Sequence, residues 1–214
     1  MSGISQHPRK IRIVLFAFAG ILLFAGFIHQ SFPRVLAAIG GLVATAAVIG
    51  YSIRNVKFTK AFGIDRLDRK VLLYSFPGIA LGIILGVLCR QRFELSLIPA
   101  GITGVAIVAP LIGTMEELVF RGYLQGQLRI VGKGFSVITA SAFHTSYKLL
   151  VILTLSMPLQ FDFFYLIIWT FVGGILNGIL RELSESTIPP VLAHAIFDIV
   201  LYGGLATAPV WVWS

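Results

Sequence analysis

Apolar stretches of about 18 to 22 residues, each long enough to cross roughly 30 Å of hydrocarbon as an α-helix, recur along the whole chain with short connections. They are continuous and do not alternate, which fits helices and argues against the strands of a membrane barrel. Seven can be read, at about 11–29, 35–53, 71–89, 97–127, 134–156, 161–181 and 187–206. The fourth is too long for one perpendicular crossing, so part of it is expected to tilt or emerge into water, and Pro110 offers a place for a bend. Of the 214 residues, 57% are hydrophobic and 12% charged, and the mean hydropathy is +0.92, well outside ordinary soluble domains. The expected fold is therefore all-α: a polytopic membrane helical bundle of about seven transmembrane helices (range six to eight), forming a single integral membrane domain over residues 1–214. No soluble domain fits in the remainder. The first span follows Arg9, Lys10 and Arg12, as in a signal peptide. Its long apolar core lacks a convincing cleavage site before Gln30, so it reads as a retained anchor.

The net charge of +8 would suit a nucleic-acid partner were the basic residues clustered, but they alternate by loop. Arg9, Lys10 and Arg12 precede the first span; Arg54, Lys57, Lys60, Arg66, Arg69 and Lys70 lie in the second loop; Arg129 and Lys133 lie in the fourth, and Arg181 in the sixth. The opposite side has Arg34, Arg90 and Arg92. This asymmetry is the positive-inside pattern: the N-terminus is expected in the cytoplasm and the C-terminus outside, in a multi-pass protein of the plasma membrane. The charge is topological, and no nucleic-acid partner is implied. Cys89 is the only cysteine, which excludes an internal disulfide and a thiolate metal site.

Gly78, Gly82 and Gly86, and likewise Gly174 and Gly178, recur at four-residue spacing and are expected to let their helices approach neighbours closely. The segment KFTKAFGIDRLDRK reads as a cytoplasmic surface element lying along the headgroups, with Asp65 and Asp68 as solvated partners of nearby Arg and Lys.

Subtracting loop charges leaves Glu116, Glu117, Arg121, His144, Lys148, His194 and Asp198 at membrane depth, with Asn177 as an uncharged addition. Each would cost several kcal/mol in hydrocarbon unless paired or facing water, so each is a functional candidate. Glu117 and Arg121 are four apart and can pair; Glu116 is rotated by about 100° and is the carboxylate left free for chemistry. His194 and Asp198 share a face of the seventh span. Carboxylate plus imidazoles is the set that activates water, with imidazole nitrogens binding zinc or steering the nucleophile and a glutamate removing its proton. Taken singly, each feature has a plainer reading as a packing histidine, a helix clamp or part of an ion path.

The order EELVFR, then an intramembrane histidine in ASAFHTSYK, then HAIFD resembles the CAAX protease and bacteriocin-processing family of intramembrane endopeptidases. The similarity extends to FRGYLQGQL and GGILNGILRELSESTIPPVLAHAIFD and covers roughly residues 110–200, the expected catalytic core. It implies a helical bundle with an intramembrane polar cavity and peptide-bond hydrolysis near the membrane. Residue by residue, it implies Glu116 as general base, and His144 and His194 holding the water or a metal. Asp198 would help to bind metal or polarise the carbonyl, with Glu117 and Arg121 positioning Glu116. His144, His194 and Asp198 are thus the expected ligands if a divalent metal such as zinc is used; nothing like HExxH is present, and glutamate-activated water without metal is the other possibility. The implied partners are membrane lipid and a membrane-associated or lipidated peptide. The sequence departs from the family in having Ala140, not Phe, four residues before His144. A non-catalytic membrane scaffold or bacteriocin-immunity protein of the same fold, and a small transporter, are the competing readings.

Overall fold

The computed structural model describes residues 6–155 and 162–207, and the described residues form a helical bundle. In chain order its elements are α1 (Gln6–Phe27), α2 (Val35–Ile53), the one-turn α3 (Phe58–Ala61), α4 (Arg69–Arg92) and α5 (Gly104–Glu117). A π-helical segment (Leu118–Gln125) and the short α6 (Gly126–Leu128) come next, then α7 (Lys133–Leu153), α8 (Phe163–Ser184) and α9 (Ile188–Tyr202). Among the described residues, α1 from Pro8, α2, α4, α7 and α8 are long and apolar enough to cross a membrane, and α9 is a shorter apolar helix. The span ends expected at 156 and 161 lie outside the described residues.

The fourth span differs most from its expectation. Residues 97–103 are not helical: Pro99 and Gly101 oppose helix there, and α5 begins only after Thr103, whose hydroxyl accepts from the Ala106 amide. Pro110 lies within α5, and the helical geometry changes at Leu118, where α gives way to π. α5, the π segment and α6 then run without interruption to Leu128.

Glycines set the distances between helices. A Cβ on Gly78 would lie 2.8 Å from the Pro189 carbonyl oxygen, one on Gly82 would press into the Ala193 carbonyl, and one on Gly86 would lie 2.8 Å from Val200 Cβ. The expected small-residue face of α4 is thus the surface on which α9 rests. Gly174 and Gly178 do the same for α8 against α7, where added Cβ atoms would lie 3.1 Å from Ser141 Cβ and 2.8 Å from Val137 Cγ1.

Three charged features stand differently from their sequence reading. Arg90, counted as a loop charge, is buried at 2% exposure; its Nη1 donates to the carbonyls of Val200, Leu201 and Gly203 at 2.9–3.0 Å, closing the C-terminal end of α9 where the helix dipole favours a cation. Arg181 is likewise buried, in the last turn of α8 beside Glu182 (3.1 Å). The KFTKAFGIDRLDRK segment is fastened to the α8–α9 junction and does not lie free along a surface. Phe62 is buried near Tyr123 (6.0 Å between ring centroids). Gly63, at φ +66°, presents its carbonyl to the Thr187 amide (2.8 Å) and the Ser186 hydroxyl (3.1 Å). Asp68 does pair with exposed Arg66 (2.8 Å), and it also caps α4 by accepting from the Val71 amide (3.0 Å). Across the same junction Lys70 and Arg66 both bind Glu185 (2.7 and 2.6 Å), holding its carboxyl down at about 2.

The α4–α9 contact carries a prediction. Gly82→Val should lower stability by about 1–3 kcal/mol, the usual cost of overpacking, because backbone and not a movable side-chain tip occupies the space. Gly40→Ala, where a Cβ meets nothing within 4 Å, should not lower it and by helix propensity should raise it slightly. Thermal unfolding of both variants in detergent micelles tests this; equal melting temperatures would refute the close-packing argument.

Candidate active site

Five helical elements bring the buried polar residues to one place. Glu116 and Glu117 are the last residues of α5, and Arg121 lies in the π segment that continues it. α7 contributes His144 and Lys148, α8 contributes Asn177, and α9 contributes His194 and Asp198. All eight line a single cavity of about 120 Å³. Gly113 leaves room for the two polar side chains of α9: a Cβ there would lie 2.5 Å from Asp198 Oδ2 and 2.8 Å from His194 Cδ2, so a larger residue would displace them from the cavity. His144 is eleven residues from the start of α7 and nine from its end, so it sits near the middle of that helix.

Glu117 is fully buried and one of its oxygens serves three elements. Glu117 Oε1 pairs with Arg121 Nη1 (3.2 Å) and accepts from Asn177 Nδ2 (3.3 Å) and His194 Nδ1 (2.9 Å). Arg121 Nη1 also donates to His144 Nδ1 (2.8 Å). A guanidinium only donates, so that nitrogen of His144 is the acceptor and Nε2 carries the proton, which it donates to Glu116 Oε2 (3.2 Å). By the same logic His194 donates through Nδ1, leaving Nε2 turned toward Glu116 Oε2 and Asp198 Oδ1, each 3.9 Å away. Those gaps, between groups that all accept, suit a small donor such as a water. Asp198 Oδ2, also buried, has no hydrogen-bond partner among the described residues.

The pairing of Glu117 with Arg121 agrees with their four-residue spacing, whereas the expectation that Glu116 is free of partners does not hold. Lys148 Nζ lies 2.7 Å from Glu116 Oε1, and His144 holds the other oxygen. Lys148 was legible as a buried cation one turn beyond His144, but no family motif points to it. Glu117 and Arg121 reach the two imidazoles directly and touch Glu116 only through them. Where Ala140 departs from the family pattern, other aromatics serve: Phe120 lies 4.6 Å from the His144 ring, while Phe143 stacks on Phe18 (3.8 Å) and not on His144. Phe93, Tyr165, Trp169 and Phe197 line the rest of the cavity.

The proposed ligand set His144, His194 and Asp198 can be tested against this geometry. A metal-binding imidazole needs a lone pair toward the ion and usually donates from its other nitrogen. In His144 the lone pair faces Arg121 and the N–H faces Glu116, so the three residues do not present three lone pairs to one point. Among the described residues no group of three or more His, Cys, Asp or Glu side chains is arranged to hold a metal ion.

Neither curated proteins nor solved structures give a match to the chain. A family model does, over residues 97–200, described as type II CAAX prenyl endopeptidase Rce1-like. That interval holds every residue of the polar cluster, from Glu116 to Asp198, and supplies most of the cavity lining. Over residues 97–200, then, the chain is similar to the Rce1-like family of type II CAAX prenyl endopeptidases.

Proposed function

We propose that this integral membrane protein is an endopeptidase that hydrolyses a peptide bond of a membrane-associated or lipidated substrate, using water activated by Glu116. The observation that carries this reading is the open space bounded by Glu116 Oε2, His194 Nε2 and Asp198 Oδ1 at separations of 3.9 Å. A water there is within reach of a buried carboxylate held by an ion pair on one oxygen and a hydrogen bond on the other. Glu116 Oε2 takes a proton from the water as its oxygen attacks the scissile carbonyl carbon. The carbonyl π pair moves to oxygen. On collapse, the C–N bond pair passes to the leaving nitrogen, which takes the proton back from Glu116. Asp198 Oδ1 and His194 Nε2, both acceptors, orient the water through its two O–H groups; Glu117 and Arg121 hold the two imidazoles in the required tautomers. The aromatic wall of Phe93, Tyr165 and Trp169 suits the apolar part of a lipidated or membrane-inserted peptide. The loop charges support a cytoplasmic N-terminus, since Arg34 and Arg92 remain as the exposed counterweight once buried Arg90 and Arg181 are set aside.

Reconstituted protein with a quenched-fluorescence peptide carrying a prenylated cysteine near its C-terminus tests the reading. Glu116→Gln should reduce turnover by at least about 10²-fold, the usual scale of a general base, in a protein that still folds but melts lower because buried Lys148 loses its counter-charge; unchanged turnover would remove Glu116 from the base role. Glu117→Gln should cost about 3–5 kcal/mol of stability, the cost of breaking a buried ion pair, because Arg121 loses its counter-charge; a wild-type melting temperature would contradict the hub geometry. Prior incubation with a strong chelator should leave turnover unchanged, since His144 has no lone pair to offer an ion. Loss of activity that zinc restores would overturn that account.

A further inference from the structure

Lys148 lies outside the glutamate, histidine and histidine–aspartate motifs, yet it is the group nearest the proposed base. It is 8% exposed, lines the cavity, and its Nζ lies 2.7 Å from Glu116 Oε1. An ammonium in such a place is costly unless it has a task and a partner. The carboxylate opposite has two oxygens in different surroundings. Oε1 faces Lys148, whereas Oε2 faces His144 Nε2 at 3.2 Å and the space shared with His194 and Asp198. Resting on the reading of Glu116 as base, we infer that Lys148 is a positioning residue that ties down Glu116 Oε1, so that Oε2 is the oxygen that takes the water proton and returns it to the leaving nitrogen.

Charge count supports the assignment. Three carboxylates, Glu116, Glu117 and Asp198, share the cavity with two basic side chains, Arg121 and Lys148. Arg121 is engaged by Glu117 and His144, which leaves Lys148 as the cation available to Glu116. Without it, Glu116 would keep one N–H donor, from His144, and would face Asp198 and Glu117 in a buried site with no full counter-charge. His144 alone would also leave the carboxylate free to rotate about its terminal bond and present either oxygen.

Two measurements separate pairing from positioning. The first is a double-mutant cycle on melting temperature in micelles, using wild type, Lys148→Met, Glu116→Gln and the double variant. The expected result is a clear loss in Lys148→Met that is largely recovered in the double variant, where both charges are gone; additive or absent effects would overturn the pairing. The second is turnover of the prenylated reporter peptide. Lys148→Met should lower kcat by about 10-fold or more with KM little changed. Lys148→Ala should regain activity on addition of a small alkylammonium such as ethylammonium, which a merely structural role would not produce. Lys148→Met should have no further effect in the Glu116→Gln background. Wild-type kcat in Lys148→Met alongside an inactive Glu116→Gln would sink the positioning role and leave the base assignment standing. A fully active Glu116→Gln would sink the base assignment and this role with it, while the melting cycle would still decide the pairing.

Discussion

One carboxylate oxygen organises this bundle's interior. Glu117 Oε1 receives Arg121 from the π segment, Asn177 from α8 and His194 from α9. Through Arg121 it also reaches His144 on α7. Hydrocarbon cannot satisfy any of these groups, so each is stable only if the others arrive in position. The arrangement makes helix docking and site formation a single event: the polar groups that would oppose insertion individually become the specific contacts that choose which helix faces meet. The apolar surfaces around them contribute little to that choice, because lipid tails are as apolar as Leu.

Those contacts require proximity, and the glycines provide it. Gly113 leaves room on α5 for the polar side chains of α9, the Gly78–Gly82–Gly86 face admits α9 to α4, and Gly174 and Gly178 admit α8 to α7. α9 is the short helix carrying His194 and Asp198, and it is clasped on both sides and closed at its C-terminal end by Arg90. Its depth and rotation are therefore fixed by backbone against backbone, which suits a helix whose two polar side chains must face one small cavity.

Much of the fold was legible because hydropathy and helix length are coupled by the bilayer: α2 occupies the 35–53 window, and α4, α7 and α8 begin within two residues of their expected starts. The catalytic candidates were legible because a buried charge is conspicuous against 57% hydrophobic residues. The properties that escaped the sequence belong to neighbours far away along the chain. Arg90 reads as a loop charge until the end of α9, more than a hundred residues later, is seen beside it. Glu116 reads as unpaired because helical periodicity speaks only for its own helix, and Lys148 approaches from another. The start of the fourth helix was misjudged because residues 97–103 are apolar enough to span, and only the cap at Thr103 shows where helix begins.

The π segment gives this site a dependence on chain length as well as on side-chain identity. Its i→i+5 bonding accommodates about one residue more than an α-helix would over the same turns, and it lies between the glutamates and the Leu124–Leu128 surface that packs into the core with Phe62 and Tyr123. Removing a single residue from 118–125 would let the segment relax to α-helix over the same turns, whereas inserting one more would rotate α5 by about 100° relative to α6. Either the glutamates or the core leucines would then turn toward lipid. For this stretch the reading frame of the helix is itself part of the active site, and a one-residue insertion at an outward-facing position would do more damage than many substitutions within the cavity.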